Sequence, residues 1–159
     1  MSTAEQLARQ GKLRKMGGNL RPDQQKLRLM YATPTAIGTI QTTVRDLETD
    51  GFVEGAIRPL EQAMQQVSSF IRGDDYGTWM EPHKIRPHEE CVWELKTADL
   101  RLFGWFHRPL QFILSDIGIK SQCTDLGLYH GYLKQCVQHR DELDLDPPKY
   151  VDGDLDDLF

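Results

Sequence analysis

Cysteine is scarce in this chain. Cys91, Cys123 and Cys136 are an odd number at wide spacings, which predicts reduced thiols in a cytoplasmic setting and excludes a disulfide framework. Long apolar runs are missing too. None approaches the roughly 20 residues that span a bilayer, and the N-terminus lacks the continuous apolar stretch of a secretory signal. No CxxC or HxxxH pair occurs, so Cys91, His83 and His88 do not form a zinc-binding set, and no metal is expected. No glycine-rich loop has the spacing that cradles phosphates, so no cofactor is expected. What is present is enough for one domain with extensions: 159 residues, 39% of them hydrophobic, can build a modest core.

The net charge of −5 conceals a segregation. Residues 1–31 carry seven bases (Arg9, Lys12, Arg14, Lys15, Arg21, Lys26 and Arg28) against Glu5 and Asp23, a net of +5. Residues 141–159 carry eight acids against Lys149, a net of −7. The middle is therefore near −3, and charge alone does not declare a nucleic-acid binder. The plain interpretation is two solvated ends.

Residues 1–25 hold Gly11, Gly17, Gly18 and Pro22 among polar residues and read as a flexible basic arm. A short strand fits 26–32, with Leu27, Leu29 and Tyr31 on one side. Thr33-Pro34 then supplies an N-cap hydroxyl and a first-turn proline for a helix. Its apolar face is Ile37, Ile40, Val44 and Leu47, and Gly51 stands where a C-cap is wanted. Val53, Ile57, Leu60, Met64, Val67 and Ile71 make a second stripe. Pro59 interrupts that ladder, so the regular helix begins near it and Gly73 ends it. Residues 73–90 read as a polar loop. Three strand-like runs follow between Cys91 and Gln122, separated by Thr97-Ala98-Asp99 and Arg108-Pro109. A helix over 126–142 and an acidic, disordered tail over 141–159 complete the chain. The expected fold is α+β, an antiparallel sheet in the order β-α-α-β-β-β-α, with the first two helices on one face. The domain spans 26–140.

The stretch ELKTADLRLFGWF followed by FILSDIGIK resembles the RelE/ParE toxin superfamily, in its HigB and phage Gp49-like branch. The matching positions are Leu95-Lys96, Leu100-Arg101, Ile119-Lys120 and, near the C-terminus, Tyr129. Leu100 replaces the usual aromatic, Lys96 a common arginine, and the chain is longer at both ends. The resemblance implies the toxin component of a toxin–antitoxin system, a metal-independent endoribonuclease that cuts ribosome-bound mRNA and inhibits translation. Its partners would be a cognate antitoxin, the ribosome and mRNA, with no membrane. It implies that Lys96, Arg101 and Lys120 hold the scissile phosphate, while Tyr129 or His130 assists proton transfer. His107 and Arg108 join the expected RNA-binding set, His107 also as an acid/base candidate. A different class on the same scaffold is a non-catalytic, phage- or mobile-element-derived protein that blocks a host protein such as gyrase.

Each of these residues also has a plainer role. Lys96 and Lys120 are ordinary edge-strand charges. Arg101 can tie Glu94 or Asp99 across the hairpin. His107 suits a turn, and Trp93, Phe103 and Trp105 suit the core. The acidic tail could also fold back over the basic groove as a polyanionic mimic of substrate.

Overall fold

The structure is a computed structural model that describes residues 1–17, 19–49, 57–77 and 80–159. The chain is α+β, with a six-stranded mixed sheet and six α-helices among the described residues. The strands are β1 (Arg14–Lys15), β2 (Leu29–Ala32), β3 (His83–Lys84), β4 (Trp93–Lys96), β5 (Leu100–Arg108) and β6 (Gln111–Ile119). The helices are α1 (Ala4–Arg9), α2 (Pro34–Thr39), α3 (Pro59–Arg72), α4 (Lys120–Asp125), α5 (Tyr129–Glu142) and α6 (Leu155–Leu158). Strand order is β1-β2-β6-β5-β4-β3, with β2 parallel to β6 and every other pair antiparallel. A parallel neighbour requires a crossover, and between β2 and the later strands the chain runs through α2 and α3. No helix among the described residues is long and apolar enough to cross a membrane.

Alternation along β5 divides the core in two. Leu100, Leu102 and Phe106 meet Ala36, Val44, Ala63, Val67 and Phe70 on the face covered by α2 and α3. Phe103 and Trp105 meet Leu7, Leu133 and Cys136 on the face covered by α1 and α5. Because both faces are covered, Leu100 through His107 is buried without a break. That explains why the run LRLFGWFHR lacks a polar face. Each large apolar side chain so buried contributes roughly 1.5–3 kcal/mol.

The capping signals are realised. Thr33 Oγ1 accepts from the Ala36 amide with Pro34 in the first turn, and Gly73 closes α3 at φ 83°. The expected helix over 34–50 is shorter as an α-helix, continuing as a π-turn from Ile40 to Val44. Gly51 and Val53 lie outside the described residues.

Gly104 has a different task. A β-carbon there would stand 2.1 Å from the Ile113 carbonyl oxygen and 2.5 Å from the Phe112 ring. Gly104→Ala is therefore expected to cost about 1–3 kcal/mol through overpacking, read as a lower denaturation midpoint at unchanged m-value.

Several expectations need correction. The supposed arm carries α1, with a capping box from Thr3 and Gln6, and buries Ala4, Leu7 and Leu13. The few apolar residues of this segment are spent on the sheet, a tertiary reward its composition does not display. The supposed disordered tail also folds back. Trp105 Nε1 donates to the Lys149 carbonyl at 3.1 Å, the Val151 amide to Phe106 O, and Leu158 is 1% exposed. Phe159 packs at 4.9 Å from Phe106 and 5.4 Å from Trp93, centroid to centroid. Strand β3 lies within the supposed loop, since a two-residue edge strand has no periodicity to read. The segment after β6 is already helical as α4, and Gly127 at φ 63° separates it from α5.

Candidate functional site

The β4–β5 hairpin pairs Lys96 with Arg101 and Glu94 with Phe103. Strand β3 adds His83 opposite Glu94. Side chains two apart in a strand share a face, so Glu94, Lys96, Arg101 and Phe103 all sit on the α5 side. Tyr129 opens α5 and meets Phe103 edge-on, with ring centroids 5.7 Å apart. Between β3 and Tyr129 lies a cavity of about 560 Å³, walled by His83, Lys84, Arg86, His88, Glu94 and Tyr129.

Two of these charges are nearly sealed. Glu94 is 8% and Arg101 9% exposed. Arg101 Nη1 donates to the carbonyls of Thr97 and Leu100, both at 2.8 Å, while its Nε stands 4.0 Å from Glu94 Oε2. Neither Nε nor Oε2 has a hydrogen-bond partner among the described residues. Hydrogen-bonding capacity is thus left over in a buried ion pair beside the cavity, as it also is at Arg140 Nε in its pair with Glu90. Lys96 Nζ lies 2.9 Å from His83 Nδ1 and 3.9 Å from Glu94 Oε1. An ammonium only donates, so Nδ1 is the acceptor. Burial first, and then the Glu94 charge, raise the Tyr129 phenol above its ordinary value, with Arg101 opposing. Tyr129 thus keeps its proton at neutral pH and can give it.

Asp99, the other expected tie for Arg101, instead accepts from Thr49 at 2.6 Å and Gln62 at 2.7 Å. Lys84 is held by Asp152 of the acidic segment. That leaves Arg86 beside Glu94 on the cavity wall, with Lys96 and Arg101 paired to Glu94 from its own face of the sheet.

The structure brings Lys96, Arg101 and Tyr129 together and sets the other expected site residues apart. Lys120 opens α4, is exposed, and lines a separate cavity of about 370 Å³ with Asp99, Ser121, Thr124 and Asp125. His130 is exposed on α5. His107 and Arg108 lie at the opposite end of β5. His107 is 2% exposed, with Nε2 3.2 Å from Asp146 O, and Arg108 Nη1 donates to Pro148 O at 2.7 Å. These two hold the folded-back tail, away from Lys96, Arg101 and Tyr129. Among the described residues the acids of that tail form no ion pair with Lys96, Arg101 or Lys120; Asp152 pairs with Lys84 and Asp144 with the N-terminal amine, while His107 and Arg108 meet its backbone carbonyls. His83 and Arg86 were missed because they sit in the stretch read as loop. Glu94 was visible, sharing the alternating face with Lys96.

His107 and His139 both have their imidazole pKa lowered, chiefly by burial. Below the ordinary value of 6.5 the unfolded chain then binds protons that the folded chain refuses, so stability is full above that pH and falls as pH drops beneath it. Denaturation midpoints taken downward from neutral pH should decline, and His107→Asn should flatten the decline. An equal slope in that variant would place the titration elsewhere.

No protein-family model, curated protein or solved structure matches this chain.

Proposed function

We propose that this chain is a toxin-type endoribonuclease of the RelE/ParE kind, acting without a metal on ribosome-bound mRNA and held in check by an antitoxin. The observation that carries the reading is the cluster at the β3–β4 edge. Two cations adjacent in register, Lys96 and Arg101, pair with Glu94, a buried carboxylate that lines one cavity together with the protonated phenol of Tyr129. The elements β2, α2, α3, β4, β5, β6 and α5 follow the order that the resemblance implies, with α1, β1, β3, α4 and α6 added and with β2 parallel to β6 where an antiparallel sheet was expected.

RNA cleavage through the neighbouring hydroxyl needs three things: a base for the 2′-OH, charge on the phosphorane, and an acid for the leaving 5′-oxygen. In this reading Glu94 takes the 2′-proton as the 2′-oxygen bonds to phosphorus. The bond from phosphorus to the 5′-oxygen breaks as that oxygen takes the Tyr129 proton. The products are a 2′,3′-cyclic phosphate and a 5′-hydroxyl. Lys96, steered by His83, meets the phosphate, and Arg101 positions Glu94. Lys120 and His130 are left outside the constellation.

Induced expression with a translation readout tests this. The native chain should arrest protein synthesis, and Lys96→Gln with Tyr129→Phe should relieve it. Synthesis that continues under the native chain rejects the enzyme reading in favour of a protein that binds a host target on the same scaffold.

A further inference from the structure

A second cavity, of about 570 Å³, lies at the opposite edge of the sheet between α1, β1 and α2. Arg9, Arg14 and Lys15 line it, and Lys12 is exposed nearby. Its single acid, Glu5, is already satisfied by Lys15 at 3.1 Å and by the Tyr31 hydroxyl at 2.8 Å. Arg9 and Arg14 are both exposed and form no salt bridge or side-chain hydrogen bond among the described residues. In a chain of net charge −5, two guanidinium groups without a salt bridge over one concavity, Arg9 interacting with Glu5 only through space, are a local reversal of sign.

We infer that the cavity between α1, β1 and α2 binds the phosphate backbone of single-stranded RNA. The inference rests on the reading of RNA as substrate and adds a second contact to it. Guanidinium forks match phosphate oxygens in pairs. Gly11 and Gly38 on the wall have open space where a side chain would stand, so a backbone can approach closely. An acidic protein partner fits less well. Such interfaces centre on buried apolar or aromatic anchors, and among the described residues none of the exposed large apolar side chains lies on this wall. Five strand spacings of about 4.8 Å separate this edge from β3, roughly 24 Å. A strand touching both sites therefore spans several nucleotides, giving grip without base readout.

The test uses a short fluorescent 2′-O-methyl RNA of mixed sequence, which cannot be cleaved, so binding is read apart from catalysis. Anisotropy titrations between about 50 and 200 mM salt compare the native chain with Arg9→Glu/Arg14→Glu. The control pair Arg21→Glu/Lys26→Glu makes the same charge change in the same basic segment, off the cavity. The cavity pair should weaken binding about tenfold or more and lower the log–log salt slope by about 1.4, two contacts at about 0.7 each. The control should shift affinity far less. Equal losses in both pairs, or polyglutamate displacing the RNA at matched charge, would overturn the inference. Binding that depends on Arg9 and Arg14 in a chain that cleaves nothing would leave the inference standing and reject the nuclease reading alone.

Discussion

Arg101→Ala should destabilise the fold by about 3–5 kcal/mol, because it breaks a buried ion pair and leaves Glu94 with Lys96 at 3.9 Å as its one remaining cation among the described residues. Arg101 and Glu94 are each more than nine-tenths buried, and Arg101 also satisfies the Thr97 and Leu100 carbonyls. In a domain of this size the loss corresponds to a fall in Tm of roughly 10 °C. The pair Glu94→Gln/Arg101→Met removes both charges and should recover most of that stability, since neutral replacement of a buried ion pair is often tolerated. Activity should not return with it, because the base and its orienting cation are gone together. If Arg101→Ala melts with the native chain, Arg101 does not hold the hairpin, and its role is confined to ligand contact.

The second large effect falls on the acidic end. Leu158 is sealed in the core, and Phe159 contacts Phe70, Tyr76, Trp93 and Phe106. Leu158→Ala/Phe159→Ala should cost at least about 3–5 kcal/mol, the range for emptying one large aromatic site. Denaturant titration of the intact variant reads it. A change within about 0.5 kcal/mol, the scale of a neutral surface substitution, would mean the segment only solubilises the chain. The same geometry bears on the idea of the tail as a mimic of substrate. Its acids sit over Lys84 and the far end of β5, so removing them should act on stability before it acts on RNA affinity.

Much of this arrangement was legible from local pattern. Thr33-Pro34, Pro59 and Gly73 mark helix ends by covalent geometry and capping, which need no tertiary information. The three strands between Cys91 and Gln122 announce themselves by β-branched and aromatic content and by their breaks. Lys96 and Arg101 come together because a tight hairpin fixes their register. What stayed hidden depends on contacts distant in sequence. The helix α1 buries Leu7 against a strand more than twenty residues on. Phe159 reaches Phe70 across most of the chain. The charge-rich composition of both ends predicts solvation unless the sheet has uncovered apolar area to offer, and that area is a property of the fold. His83 illustrates the same limit at the site. Two residues of edge strand leave no trace in periodicity, yet they carry the imidazole that holds Lys96.

The central claim is that Glu94, Lys96 and Tyr129 form a site for cleaving RNA through its own 2′-hydroxyl. End-labelled RNA incubated with the native chain in EDTA tests it most directly, alone and on programmed ribosomes. The account predicts fragments ending in 2′,3′-cyclic phosphate. It also predicts no cleavage where a 2′-deoxynucleotide precedes the scissile bond, and a fall in rate of roughly 100- to 1000-fold for Lys96→Gln. Intact RNA in both settings, or cleavage that survives the 2′-deoxy substitution, would contradict it.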